Sequence, residues 1–286
     1  MPDDKKPSSG IDPAIDNADG KAAARALARA VDTRAATRID ARCVAIVQAR
    51  MGSTRLPGKV LAELAGTTML EQVVRRLRGA HRIHEIVIAT STAPEDDVIV
   101  READRINAWA YRGSETDVLA RYAGASRAYR AGIVVRITAD CPLLDPEVID
   151  RVIASLTPDL DYASNTHVRS YPRGLDVEAM HADTLERIAR MAMSLAAREH
   201  VTAFVMEAPQ LFRTTQLRSE HDDADLRWTV DTPEDLEMVR GLYDALDLAR
   251  RPQPYRKIVE AIRARPELAT PNAHVTQKPW QDPHVA

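Results

Sequence analysis

Residues 43–60, CVAIVQARMGSTRLPGKV, decide the fold of this chain. The first six residues, CVAIVQ, form an apolar run of strand length that is rich in β-branched side chains. A loop with two glycines and three basic residues follows directly. In α/β proteins, ligands bind outside the carboxyl ends of parallel strands, so this loop is expected at a ligand-binding edge.

Beyond this loop, strand-like segments alternate with amphipathic segments of helical length. The strand-like segments are HEIVIATS (84–91), AWAYRGS (108–114) and GIVVRITAD (132–140), and the helical ones are 67–80, 95–106 and 116–131. This alternation predicts an α/β fold with a mostly parallel sheet and helices on both faces. After Asp145 the pattern predicts a helix in 145–156, strands in DYASNT, GLDVEAMH, LFRTTQL and RWTV, and helices near 182–191 and 195–207.

The sequence predicts three regions. Residues 1–41 are polar and then alanine-rich, which favours a disordered or helical N-terminal arm. Residues 42–265 contain the alternating elements and form the predicted catalytic domain. Residues 266–286 lack periodicity and are expected to form an extended tail.

Composition narrows the function classes. With 45% hydrophobic and 28% charged residues the chain can bury a substantial core. The net charge of −3 gives no support to nucleic acid or a membrane surface as a general partner. The N-terminal residues lack the apolar stretch of a secretory signal, and no apolar run is long enough to span a bilayer. Cys43 and Cys141 are far apart and are expected to be reduced, so the predicted compartment is the cytoplasm.

The loop resembles a phosphate-binding P-loop but departs from it in two ways. Five residues separate Gly52 from Gly58, and Val60 stands where a P-loop has the hydroxyl residue that ligates Mg²⁺. Any magnesium must therefore be held elsewhere. Arg50, Arg55 and Lys59 would supply positive charge to a polyphosphate; an ordinary surface loop with solvated cations is the alternative.

Two aspartates follow predicted strands at the same edge. Asp140 comes after RITA and Asp231 after RWTV, and carboxylate oxygens are the ligands that Mg²⁺ prefers. We therefore predict that Asp140 and Asp231 share one Mg²⁺ ion. The alternatives are that Asp140 caps the turn before Pro142 and that Asp231 only favours the nearby helix N-terminus.

The stretch ARMGSTRLPGK (49–59) resembles the signature of the CMP-sugar-acid synthetases, the acylneuraminate and 3-deoxy-manno-octulosonate cytidylyltransferases. The resemblance continues in RGSETDVLARY, RITADCPLLDPE, YPRGLDVEAM, REHVTAF and RWTVDTPEDL, and it spans about residues 43–247. It is strongest toward the branch described as spore-coat polysaccharide biosynthesis cytidylyltransferases. Several blocks in the same order are more specific than one loop.

The resemblance implies a nucleotidyltransferase fold of the nucleotide-diphospho-sugar transferase type. It implies transfer of CMP from CTP to a sugar acid with release of pyrophosphate, a Mg²⁺ cofactor, a role in surface polysaccharide or glycoconjugate biosynthesis, and a homodimer. By position, the triphosphate would be held by Arg50, Arg55 and Lys59. Nucleotide contacts would come from Ala49, Gly52, Ser53, Thr90, Ser91, Ser114 and Asp117, and acceptor contacts from Arg173, Asp176, Glu178 and His200.

Several of these roles have structural alternatives. Ser, Thr and Asp before a helix are capping residues as readily as ligand contacts, which applies to Thr90, Ser91, Ser114 and Asp117. A helical histidine such as His200 is more often a structural hydrogen-bond partner than a general base.

Three other functions are alternatives to this one. A relative of these enzymes would use a phosphate or phosphonate acceptor. A glycosyltransferase of similar architecture would carry a D-x-D motif at a strand end, where this chain reads ADCPLLD. A non-catalytic nucleotide-binding protein would have lost a cation or a carboxylate, whereas Arg50, Lys59, Asp140 and Asp231 are all present.

Residues 1–39 are predicted to contribute nothing to the nucleotide site, because they precede the first strand and differ from the domain in composition. A protein that begins near Arg42 is expected to fold and to keep the activity of the full chain. Melting temperature and pyrophosphate release, measured beside the full chain, check this. A folded but inactive truncation would instead indicate that the arm completes a site, such as that of a neighbouring subunit.

Overall fold

A seven-stranded sheet organises the part of the chain that the structure, a computed structural model, describes: residue 38 and residues 41–277. The strands are β1 (Cys43–Gln48), the short pair β2 (Glu63–Leu64) and β3 (Thr67–Thr68), β4 (Glu85–Ser91), β5 (Trp109–Gly113), β6 (Ile133–Thr138), β7 (Tyr162–Ser164), β8 (Glu178–His181) and β9 (Thr214–Gln216). The order in the large sheet is β5-β4-β1-β6-β8-β7-β9, and β2 pairs only with β3. Strands β5, β4, β1 and β6 are parallel, β8 runs antiparallel to β6 and β7, and β9 is parallel to β7. The predicted mostly parallel sheet is confirmed.

Helices cover both faces of the sheet, as the alternating pattern predicts. They are α1 (Met69–Leu77), α2 (Asp97–Arg105), α3 (Val118–Ala128), α4 (Pro146–Ser155), α5 (Ala182–Met191), α6 (Leu195–His200), α7 (Ala203–Glu207), α8 (Pro233–Leu246) and α9 (Tyr255–Ala264). Strand β1 has buried side chains on both faces. Cys43, Ala45 and Val47 pack with α1, α2 and α4, whereas Val44 and Ile46 pack with α3 and α5. A strand with two buried faces reads as a continuous apolar run, which explains CVAIV.

The sheet brings three loops to one edge. The Ala49 N–H donates to the Ala89 carbonyl at the end of β4, and the Ala139 N–H donates to the Gln48 carbonyl at the end of β1. The Val230 N–H in turn donates to the Asp140 carbonyl at 2.8 Å. Residues after β1, β4 and β6, and residues before α8, are therefore neighbours although the sequence separates them widely.

Two element predictions are wrong. Residues 227–230 do not form a strand; Arg227 makes one isolated bridge with Arg173, and the backbone N–H groups of Trp228 and Val230 donate to two different loops. No continuous ladder forms, because the segment crosses from one loop to another. The helix predicted over 195–207 is divided by Val201, whose φ of 59° is left-handed and ends α6 before α7 begins.

The predicted extended tail is also corrected for its described part. Residues Pro266–Ala269 form a 3₁₀ turn, and Asn272 is only 4% exposed. The segment packs because Asn272 finds buried hydrogen-bond partners in the domain, a constraint that periodicity does not report. The predicted N-terminal arm, residues 1–41, lies outside the described residues except for Arg38 and Ala41.

Gly174 has a backbone conformation that other residues rarely adopt, with φ of 105°. A Cβ atom there would lie 2.6 Å from the Thr229 nitrogen and 2.6 Å from the Trp228 carbonyl carbon, and neither backbone atom can move aside easily. We expect Gly174→Ala to destabilise the fold by at least about 2 kcal/mol, or roughly 4–8 °C in melting temperature.

The matched control for this substitution is Gly241→Ala. Gly241 lies inside α8 with open space around its Cβ position, so alanine should stabilise the fold by about 0.5–1 kcal/mol. Thermal melting of both variants checks the pair. Equal melting temperatures would contradict the account of Gly174.

Candidate active site

An open cleft of about 730 Å³ lies at the carboxyl edge of β1 and β6. Its walls come from the loop after β1, the end of β6, residues 166–178, the start of α7 and the segment before α8. Eight of the predicted site residues line it: Arg50, Arg55, Asp140, Arg173, Asp176, Glu178, His200 and Asp231. The structure thus brings most of the predicted charged residues into one place.

Lys59 joins the two predicted metal carboxylates. Its ammonium donates to Asp140 Oδ2, to Asp231 Oδ1 and to the Val230 carbonyl, each at 2.8 Å. Lys59 starts a 3₁₀ turn, and Gly58 before it has φ of 70°, a left-handed conformation that suits glycine. This turn directs the lysine toward the carboxylates.

The charges of this cluster are strongly coupled. Burial by itself would raise the pKa of Asp231, but the positive charges of Lys59, Arg55 and Arg227 outweigh it and lower that pKa to about 2. Burial would lower the pKa of Lys59, yet Asp140 and Asp231 raise it above its usual value. The Asp231 carboxylate and the Lys59 ammonium are therefore in their charged forms at neutral pH.

The donor set fits a magnesium ion that also binds substrate. Among the residues that the structure describes, no group of three or more His, Cys, Asp or Glu side chains could hold a metal by itself. Asp140 and Asp231 nevertheless converge on one cation, the Lys59 ammonium. Protein sites for Mg²⁺ commonly use one or two carboxylates and leave the remaining positions to water and substrate phosphates. Two convergent hard-oxygen donors are what such a site requires.

Arg50 and Arg173 are the cleft arginines that have no carboxylate partner within the described chain. Arg55 is 3.1 Å from Asp231 Oδ2, and the other cleft arginines are paired. Burial and the nearby charge of Arg169 lower the pKa of Arg173. An unpaired, partly desolvated guanidinium is a ready partner for an anionic group.

The predicted acceptor residues Asp176 and Glu178 are engaged within the protein. Asp176 accepts two hydrogen bonds from Arg169, at 2.6 and 3.1 Å. Glu178 accepts from Arg136 at 3.1 Å and from the Thr202 hydroxyl at 2.8 Å. In this structure their oxygens orient two arginines of the cleft wall, and the predicted direct contact with sugar hydroxyls would need these bonds to be shared or broken.

The seven predicted nucleotide contacts lie outside the cleft lining. Thr90 and Ser91 are fully buried, and the Ser91 hydroxyl donates to Asp96 at 2.5 Å. Ala49 is buried as well, and its N–H is used within the sheet edge. Burial keeps the side chains of Ala49, Thr90 and Ser91 inside the protein, away from the cleft surface.

The remaining four lie in loops and caps. Ser114 accepts from the Asp117 N–H, and Asp117 is the N-cap of α3 and pairs with Arg198, which supports the capping alternative for both. Gly52 and Ser53 lie in the loop that the Gly58 N–H closes onto the Met51 carbonyl at 3.0 Å. The loop position agrees with a backbone contact to phosphate, which stays a prediction.

Arg136, Arg169, Arg227 and Asp96 are among the side chains at or beside the site that the sequence analysis does not predict. Arg136 could have been identified from the sequence, because it is a single charged residue within the apolar strand IVVRIT. Asp96 accepts from the Met51 N–H at 2.7 Å and so ties the loop after β1 to β4. Its role depends on a contact 45 residues away in sequence, which no local pattern reveals.

Comparison with known proteins agrees with this geometry. A family model described as cytidylyltransferase matches residues 44–257. Over 234 residues the chain is 33% identical to the spore coat polysaccharide biosynthesis protein SpsF of Bacillus subtilis (strain 168), covering 79% of this chain and 95% of that protein. It is 30% identical over 238 residues to a 3-deoxy-manno-octulosonate cytidylyltransferase of Anaeromyxobacter dehalogenans (strain 2CP-C), covering 70% and 97%.

A solved structure supports the same relationship. The cytidylyltransferase of Leptospira borgpetersenii serovar Hardjo-bovis superposes with a TM-score of 0.77 at 29% identity, covering 83% of this chain and 99% of that one. The matched family model spans well over half of the chain and includes every predicted site residue. The chain therefore belongs to the cytidylyltransferase family and is a nucleotidyltransferase.

Proposed function

We propose that this protein transfers CMP from CTP to a sugar acid and releases pyrophosphate, in a Mg²⁺-dependent reaction that serves surface polysaccharide or glycoconjugate biosynthesis. The observation that carries the proposal is the convergence of Lys59 on Asp140 and Asp231 at 2.8 Å, beside two cleft arginines that have no carboxylate partner among the described residues. This combination suits a polyanionic nucleotide with a divalent cation.

The triphosphate would bind along the loop after β1. Arg50, which has no carboxylate partner in the described part of the chain, would pair with phosphate oxygens. Arg55 and Lys59 would exchange part of their contact with Asp231 for phosphate oxygens. Asp140 and Asp231 would hold Mg²⁺, which when bound supplies positive charge to the non-bridging phosphate oxygens. Cations held on the pyrophosphate stabilise it as a leaving group.

The acceptor would occupy the wall of residues 166–178. Arg173 would pair with the acceptor carboxylate, since it has no carboxylate partner within the described chain. The named activity of the Anaeromyxobacter relative supports a sugar acid as acceptor. His200, at the end of α6, also lines the cleft and would contact the sugar.

We further propose that the enzyme is a cytoplasmic homodimer. None of the helices in the described part of the chain combines the length and hydropathy that crossing a bilayer requires. Met193 and Leu195, at 86% and 88% exposed, give the segment around α6 an apolar surface that would favour self-association.

Pyrophosphate release tests the proposed reaction. The full chain is incubated with CTP, UTP, ATP or GTP, each with a panel of sugar acids, phosphate monoesters and phosphonates. We expect release only with CTP and a sugar acid. Release only with phosphate monoesters would show that the enzyme uses a phosphate acceptor and not a sugar acid. If no nucleotide released pyrophosphate with any acceptor, nucleotidyl transfer itself would be rejected.

The shared metal site makes a separate prediction for Asp140→Asn and Asp231→Asn. Each should abolish most activity while the protein still folds, because an asparagine oxygen can still accept from Lys59. Asp231→Asn should also lower the melting temperature, because its amide nitrogen would face Arg227, which donates to Asp231 Oδ2. The double variant should be scarcely worse than either single one, since both carboxylates serve one ion. Multiplicative losses in the double variant, or full activity in EDTA, would contradict a shared magnesium.

A further inference from the structure

The C-terminal segment beyond the matched family region reaches the active site. The family model ends at residue 257, whereas Gln277 lines the cleft and Asn272 contacts Arg227 and Asp235 behind it. The Asn272 side-chain amide donates to the Arg227 carbonyl at 3.0 Å and to Asp235 Oδ1 at 2.9 Å. Both partners are acceptors, so only the NH₂ group of the amide can satisfy them.

Asp235 is the centre of this network. It is fully buried, and its carboxylate accepts from Arg227 Nε, from Arg227 Nη2 and from the backbone N–H groups of Asp231 and Thr232, at 2.8 to 3.1 Å. Asn272 adds a further donor. A buried carboxylate with this many donors holds a fixed position, because the loss of any one hydrogen bond would leave its desolvated charge less well compensated.

The network fixes the orientation of Asp231. Arg227 Nη2 donates to Asp231 Oδ2 at 2.9 Å, and Arg55 approaches the same oxygen. The other oxygen, Oδ1, then faces Lys59 and Asp140. Arg227 can do this because its guanidinium is held by Asp235 and Gln277 and its carbonyl by Asn272.

We propose that Asn272 is a positioning residue for the metal site, acting through Asp235 and Arg227 so that Asp231 directs Oδ1 at the ion. The inference rests on the proposed function, in which Asp231 is a magnesium ligand. Groups that orient a metal ligand commonly change metal affinity or activity by about 10- to 100-fold when they are removed.

The test compares Asn272→Ala and Asn272→Asp in the full chain. Alanine removes both donated hydrogen bonds, and aspartate places a second carboxylate beside Asp235. The Mg²⁺ concentration for half-maximal pyrophosphate release, at saturating CTP, should rise about 10-fold in the alanine variant and further in the aspartate variant. Thr270→Ala is the matched control, because its exposed hydroxyl bonds to the Pro266 carbonyl in the same turn and to no other group in the described part of the chain.

A second readout does not depend on turnover. Free Mn²⁺, followed by its paramagnetic resonance signal in a titration of protein with CTP, should show weaker binding in both Asn272 variants and wild-type binding in Thr270→Ala. Melting temperature is recorded alongside. A lower melting temperature with unchanged Mg²⁺ and Mn²⁺ dependence would overturn the positioning role, since it would make Asn272 a purely structural contact. If the aspartate variant does not fold, the alanine variant carries the same comparison.

Asp231→Asn separates this inference from the proposed function. If Asp231→Asn binds Mn²⁺ more weakly than the wild type while the Asn272 variants bind it as the wild type does, only the positioning role is rejected. If Asp231→Asn keeps the wild-type metal response, Asp231 is not a ligand, and both the metal site and the positioning role are rejected.

Discussion

The ion triad of Lys59, Asp140 and Asp231 is the interaction on which the site depends. Two carboxylates that approach one point repel each other unless a cation lies between them. Here the Lys59 ammonium takes that position, at 2.8 Å from each. Since the three residues come from three distant segments, the triad also joins the loop after β1, the end of β6 and the entry to α8. The point that the Lys59 ammonium occupies is therefore also the point at which these three segments are held together.

Successive supports surround the triad. Asp96 fixes the loop that presents Lys59 by accepting from the Met51 N–H, and the capping box of Thr232 and Asp235 fixes the start of α8 next to Asp231. Arg227 connects that helix start to Asp231, and the C-terminal segment holds Arg227. Precise placement of a ligand carboxylate needs such supports, because a side chain on a loop otherwise samples several rotamers.

The local sequence predicts most strands of the sheet and most of the charged residues that line the cleft. CVAIVQ and EIVIATS are buried on both faces, so each is a continuous apolar run that can be recognised as a strand without tertiary information. Asp140 and Asp231 were found because each follows an extended segment at the ligand edge. RWTV was misread as a strand because its alternating apolar residues pack against α8 and α9, while its backbone pairs with two loops.

The features that sequence reasoning missed depend on long-range pairing. The register of β8 against β6 places Glu178 directly opposite Arg136. This register decides whether Glu178 contacts Arg136 or a sugar, and the local sequence does not reveal it. Ser91 looked like a ligand contact, but the fold buries it under Asp96. The C-terminal segment has no periodicity. It is held by Leu268 and Ala269, which pack against the core, and by the side-chain hydrogen bonds of Asn272.

A crystal structure with CTP and Mn²⁺ would show directly whether Asp140 and Asp231 hold the metal ion. The anomalous signal of manganese should lie between Asp140 and Asp231, bonded to an oxygen of each and to phosphate oxygens of CTP. Lys59 should have left at least one carboxylate for the triphosphate. A manganese ion bound away from both aspartates, with Lys59 still bridging them, would contradict the account.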